Sequence, residues 1–322
     1  MILRARYNLY FSASGEGGGI YHFKSDGSGN IELVKKYPLD KPMFLIVSDK
    51  KLHCILRAPF ADSDFSGLVS FDIGENGELL NMTKPQSTEG IVACHLAESD
   101  GSIYCVNYLS GSVIKMPDKV DTHSGHGINP KRQDAPHTHY VCESPDGEYM
   151  FVTDLGIDKI FVYNKDLTVH STVDMPAGHG PRHLICAPDG AAVYCVNELE
   201  STLSRLNYSD GTLTLCATAK SLPADFHGTN TAAAIRIDGD RVYISQRGLD
   251  AISVMNVADE NMSLETVIPA QGNGPRDLWV DEDVFICTNE NSDSVTVLDR
   301  KDGSLIFKFD MEAPISVICT KT

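Results

Sequence analysis

Several features are missing from this 322-residue chain. No stretch approaches the ~20 consecutive apolar residues of a membrane-spanning helix, so a membrane partner is not expected. The opening residues, Met1-Ile-Leu-Arg-Ala-Arg6, lack the apolar core of a secretory leader, and a cytoplasmic protein is expected. Lys and Arg number 27 against 44 Asp and Glu, a formal charge of −17. That balance argues against nucleic acid, whose binding draws on clustered basic residues. The nine cysteines form no CxxC and no close Cys/His spacing of the metal-binding kind. No metal or other cofactor is therefore expected, and the odd count fits reduced, buried thiols. No segment carries the long 3.6-residue apolar period of a helix.

What the chain does have is a repeat. Seven short apolar runs end in polar residues at positions 14, 57, 108, 154, 198, 247 and 289. Examples are Tyr149-Met-Phe-Val-Thr-Asp154, Val193-Tyr-Cys-Val-Asn-Glu198 and Val242-Tyr-Ile-Ser-Gln-Arg247. A spacing of 42 to 51 residues, with several short strands per unit, predicts an all-β, seven-bladed β-propeller of four-stranded antiparallel blades. Seven such units use the whole chain, so a single domain over 1–322 is expected. Turns such as Ser99-Asp-Gly101, Pro145-Asp-Gly147, Pro188-Asp-Gly190 and Ile237-Asp-Gly239 separate the first two strands of a blade. The C-terminal Ala313-Pro-Ile-Ser-Val-Ile-Cys319 resembles a first strand, whereas Tyr7 to Ser14 resembles a second. The last segment is thus expected to complete blade one and close the ring. Lys119 to Pro136, with His123 and His126, reads as a loop extending from blade three over one face.

The repeat also says which residues share a rim. In an antiparallel pair the start of one strand lies beside the end of the next. First-strand starts supply His139, Arg182 and Arg276; second-strand ends supply Arg57, Asp154, Glu198 and Arg247. His137 precedes His139 by two residues, on the same strand face if that segment is already extended. His183 is expected to point away from Arg182 and to pack between sheets. Asn197 and Gln246 are expected to satisfy backbone groups. Duller roles exist: a hairpin cap for Asp154, outward ion pairs for Arg57 and Arg276, a structural ion network for Arg182, Glu198 and Arg247. Convergence on one rim favours a functional site. Arginines suit carboxylate or phosphate and stabilise an oxyanion, while a histidine or glutamate beside them moves a proton. Water would be the nucleophile, since no Ser or Cys sits in a Gly-x-Ser-x-Gly setting.

At these residues the chain resembles the seven-bladed lactonase family, which includes propeller-type 6-phosphogluconolactonases and fungal 3-carboxy-cis,cis-muconate lactonizing enzymes. The resemblance is carried by Pro136-His-Thr-His139, Val152-Thr-Asp-Leu-Gly-Ile-Asp158, Gly178-His-Gly-Pro-Arg-His183, Asn197-Glu-Leu-Glu-Ser-Thr202 and Gly272-Asn-Gly-Pro-Arg-Asp277. It implies His139, Arg182, Glu198 and Arg247 as catalytic residues, with no metal. His137, Arg276, Arg57 and Asp154 are the expected substrate-binding residues. The implied activity is hydrolysis of a small anionic sugar lactone, 6-phosphogluconolactone foremost, in carbohydrate metabolism. A muconate cycloisomerase and a non-catalytic binding propeller are the alternatives.

Overall fold

The apolar runs become strands buried on both faces. In Ala192–Asn197, Ala192, Tyr194 and Val196 pack with Leu203, Ile235, Ile244 and Met255. Val193 and Cys195, facing the other way, pack with Phe151, Ile160, Leu184 and Leu206. Each such strand serves two sheet-to-sheet interfaces, which explains why its sequence is continuously apolar rather than alternating. Each large side chain so buried contributes about 1.5–3 kcal/mol. The outermost strands, such as Val169–Asp174 and Leu305–Asp310, alternate between exposed and half-buried residues, as one-sided strands should.

The computed structural model describes residues 6–321; the opening segment 1–5, read above for the absence of a leader, lies outside the described residues. Seven antiparallel sheets are present. Contacts sort the chain into two compact units, Thr88–Val267 and the remainder up to Ser87 and from Ile268. In the second of these, Arg6–Ala13, Gly19–Asp26 and Ile31–Pro38 form a sheet with Pro314–Lys321. The register runs from Tyr7↔Lys321 to Ser12↔Ser316, and the hydroxyls of Ser12 and Ser316 lie 2.8 Å apart. The closing role expected of the C-terminal segment is therefore present. Two further sheets of this unit are built on Lys51–Leu56 and Val284–Asn289.

The sheets that matter for the site lie in Thr88–Val267, apart from the last two residues of the final strand. Their strands are Ala93–Ser99, Ser102–Asn107, Ser112–Lys115 and Lys119–Thr122; Thr138–Glu143, Tyr149–Asp154, Lys159–Asn164 and Val169–Asp174; Pro181–Cys186, Ala192–Asn197, Thr202–Ser209 and Thr212–Lys220; and Thr231–Asp238, Arg241–Arg247, Ala251–Asn256 and Ser263–Pro269. The expected Asp-Gly turns are present, Gly147 taking φ +75°.

Two details differ from expectation. The segment read as a loop from Lys119 begins as strand Lys119–Thr122, which pairs with Ser112–Lys115, so only 123–137 is irregular. The sheet built on Lys51–Leu56 has five strands rather than four. Its Leu79–Leu80 strand covers only Asp72 and Ile73 of Phe65–Ile73, and the fifth strand pairs with Phe65–Ile73 as well.

Candidate active site

Backbone irregularity aims the first-strand residues. Thr138 faces Asp154 while Tyr140 faces Thr153, leaving His139 as the extra residue of a bulge. Pro181 faces Asn197 while His183 faces Val196, so Arg182 is likewise the extra residue. A bulge bends its strand and redirects one side chain. Glu198 follows Ala192–Asn197 directly, its amide donating to the Gly180 carbonyl at 2.7 Å. Gly180 has φ +65°, and a Cβ there would sit 2.7 Å from Leu199 Cγ, so the turn presenting Glu198 needs glycine. Arg247 ends Arg241–Arg247.

These four residues converge on the Glu198 carboxylate. Arg182 Nε donates to Oε2 at 2.8 Å and Arg247 Nη2 lies 2.9 Å from the same oxygen. His139 Nε2 stands 4.0 Å from it. Arg132 Nη2 donates to Oε1 at 2.5 Å. Burial alone would push the Glu198 pKa up. Instead Arg247, Arg182, His139 and Arg132 hold it well below the usual carboxylate range. Glu198 is thus a buried carboxylate held in its ionised form by three guanidiniums. Arg247 Nε is buried without a hydrogen-bond partner among the described residues.

Beneath the arginines lies a bed of rings. Arg182 Nη1 is 2.9 Å from His183 Nε2. Arginine has no acceptor, so His183 accepts there and carries its proton on Nδ1. The His183 ring packs 4.7 Å from Tyr140 and 5.4 Å from His139, and His95 packs 3.9 Å from Tyr140. Burial and then the neighbouring Arg182 push His183 well below its ordinary pKa; burial and then Arg236 do the same for His95. His183 does pack between sheets, but the bulge at Arg182 breaks strict alternation and the two side chains meet instead of diverging.

The remaining expected residues have partners of their own. His137 stacks on Tyr108, with ring centroids 4.4 Å apart and planes 6° off parallel, and its Nδ1 lies 3.0 Å from the Tyr108 carbonyl oxygen. Asp154 is fully buried, and its Oδ1 accepts the amides of His137 at 2.7 Å and Gly156 at 2.9 Å. Its Oδ2 lies 2.6 Å from His123 Nδ1. Asp154 thus holds the backbone that carries His137. Arg57 and Arg276 lie outside Thr88–Val267. Arg276 is a bulge residue whose Nη1 donates to Glu290 at 2.9 Å, and Arg57 follows Lys51–Leu56, its amide bonded to the Lys41 carbonyl. Asn197 bonds the hydroxyls of Thr202 and Ser204 rather than backbone, whereas Gln246 reaches both the hydroxyl and the carbonyl of Ser221. Among the described residues no cluster of His, Cys, Asp and Glu is arranged to hold a metal.

Arg132 was not among the residues expected. It sits in the irregular segment, where no period aligns it with other blades. The available signal was Asn129, a turn-forming residue three positions earlier.

Comparison with known proteins fixes the family. The description "Lactonase, 7-bladed beta-propeller" matches residues 8–315. The chain belongs to that lactonase family. Its seven sheets are the blades of this propeller fold. A Staphylococcus aureus relative, itself uncharacterized, is 30% identical over 309 residues, covering 88% of this chain and 89% of its own length. A solved Lactobacillus plantarum protein is 28% identical with a TM-score of 0.85, covering 98% of this chain and all of its own. The fold also matches a Pseudomonas aeruginosa periplasmic gluconolactonase at 23% identity and TM-score 0.87, covering 98% of this chain and 99% of the other. No helix among the described residues is long and apolar enough to cross a membrane.

Proposed function

We propose that this lactonase hydrolyses a phosphorylated sugar lactone, 6-phosphogluconolactone to 6-phosphogluconate, at the Glu198 cluster. The observation that carries this reading is one carboxylate held ionised by Arg132, Arg182 and Arg247, with His139 Nε2 4.0 Å away. A carboxylate so strongly stabilised is a poor base, because its conjugate acid is too strong. His139 is therefore the group that removes a proton from water. The water oxygen attacks the lactone carbonyl carbon, and the oxyanion formed is met by the partly exposed guanidinium of Arg247. Collapse breaks the ring C–O bond, and the departing oxygen takes the proton from the His139 imidazolium. Glu198 stabilises that imidazolium and fixes the arginines. Arg182, engaged by both Glu198 and His183, positions rather than binds substrate.

The proposal places the enzyme in the cytoplasm, where its nine free cysteines stay reduced, and treats the chain as one domain. The test is loss of 6-phosphogluconolactone at pH 6.5, compared with buffer and with an Arg182→Ala/Glu198→Gln variant. Hydrolysis by the native protein at least ~100-fold above the variant is expected. Equal rates in all three remove the reading. An ultraviolet assay on 3-carboxymuconate in the same preparation detects the cycloisomerase alternative.

A further inference from the structure

The three guanidiniums around Glu198 are not equivalent. The Arg182 side chain is 3% exposed and bonds Glu198 and His183. That of Arg247 is 17% exposed, with Nη2 between Glu198 and the Ala232 carbonyl. That of Arg132 is 38% exposed, and only its Nη2 has partners among the described residues, Glu198 at 2.5 Å and the Tyr108 hydroxyl at 3.5 Å. Its Nε and Nη1 hydrogens, on opposite edges of the guanidinium, have no partner among the described residues, and each can give a second anion a single charge-assisted hydrogen bond.

The segment carrying Arg132 is built rather than slack. The Asn129 side chain accepts the amides of Lys131 and Arg132, at 3.1 and 3.3 Å. The Gln133 amide donates to the Asn129 carbonyl at 2.8 Å. The Gln133 side chain, fully buried, donates to the Leu155 carbonyl at 2.9 Å and accepts the Asn129 amide at 3.1 Å. Arg132 is thereby presented in a fixed place, which lowers the ordering cost of meeting a ligand. Three guanidiniums against one carboxylate leave two positive charges, a match for a phosphate dianion in a chain whose overall charge of −17 repels anions at long range.

We propose that Arg132, with the Tyr108 hydroxyl beside it, is the specificity-determining residue that reads the substrate's phosphate and sets the preference for phosphorylated over unphosphorylated lactones. The inference rests on the lactonase reading above but has its own readout. The experiment measures kcat/KM on 6-phosphogluconolactone and on gluconolactone for the native enzyme, Arg132→Gln and Arg132→Lys. Alongside, calorimetry measures binding of 6-phosphogluconate and gluconate to each.

Losing a charge-assisted hydrogen bond to an anion costs about 10- to 100-fold. Arg132→Gln is expected to reduce the phosphorylated-to-unphosphorylated ratio by that factor, in both turnover and binding, with most of the kinetic change in KM. Arg132→Lys restores part of the ratio. A ratio unchanged in Arg132→Gln, or a native protein that binds the two acids equally, overturns the inference. Should the native protein turn over neither lactone, the hydrolase reading fails by itself, and the calorimetric ratio still decides the role of Arg132. Gln133→Ala, which loosens the turn without touching the guanidinium, is expected to weaken the preference in the same direction. Circular dichroism identifies any variant that fails to fold, and for such a variant Arg132→Lys supplies the deciding ratio.

Discussion

Glu198 is where charge, burial and chemistry meet, so its substitution separates them. Glu198→Gln keeps the shape but leaves Arg132, Arg182 and Arg247 facing a neutral amide. Breaking a buried pair costs about 3–5 kcal/mol; with two of the arginines partly exposed, roughly 3 kcal/mol is expected in urea unfolding. A fall in kcat of about 100-fold or more should accompany it. Acid sensitivity is a second residue-scale consequence. His22 is pushed by burial to about 4, and His95 and His183 lie well below their ordinary value. Each stays neutral when folded and takes a proton on unfolding, so below about pH 6.5 the unfolded chain binds more protons and stability falls. The loss is about 1.4 kcal/mol per pH unit for each group until its folded pKa is reached. Glu198 adds to the loss only at lower pH, from about 4.3 downward, because its folded pKa is depressed. Urea midpoints measured between pH 7 and pH 5 should show this slope, and His183→Phe should flatten it.

Among elements, the irregular segment 123–137 governs how the site is presented. His123 Nδ1 meets Asp154 at 2.6 Å, and its Nε2 meets the Tyr163 hydroxyl at 2.7 Å, which donates to Asp121 at 2.7 Å. Asp154→Asn and His123→Phe should each destabilise by several kcal/mol. The double variant should lose less than the sum, with a coupling of about 1–3 kcal/mol in a double-mutant cycle. This segment also marks the limit of what was legible beforehand. The strands could be read because each apolar run is dictated by two buried faces, and their shared register gathered His139, Arg182, Glu198 and Arg247. Arg132 could not be read, because its position depends on the bonds of Asn129 and Gln133, not on a period. Nor could the contact of Arg182 with His183 be read, since alternation assumes a regular strand and a bulge carries no sequence mark here. Asp154 lay at the expected end of its strand, yet its carboxylate turned to the amides of His137 and Gly156, a local choice that rim geometry does not determine.

For the whole molecule, the proposal of one domain predicts one cooperative transition. Trp279, the single tryptophan, lies in Pro275–Val280, whereas the Glu198 cluster lies within Thr88–Val267. Tryptophan fluorescence and loss of activity should therefore report the same urea midpoint, and separate midpoints would show that the two units unfold independently. Removing the chain from Pro314 onward would leave Arg6–Ala13 with an unpaired edge, and aggregation together with a large drop in melting temperature is expected by light scattering. The same pairing has a temporal side. Ser12 and Ser316 are 304 residues apart, so a ribosome adding about 5–20 residues per second makes the first strand roughly 15–60 s before its partner. During translation the nascent N-terminal sheet waits with one side bare, and a chaperone that shields it in that interval would protect the least finished part of the molecule.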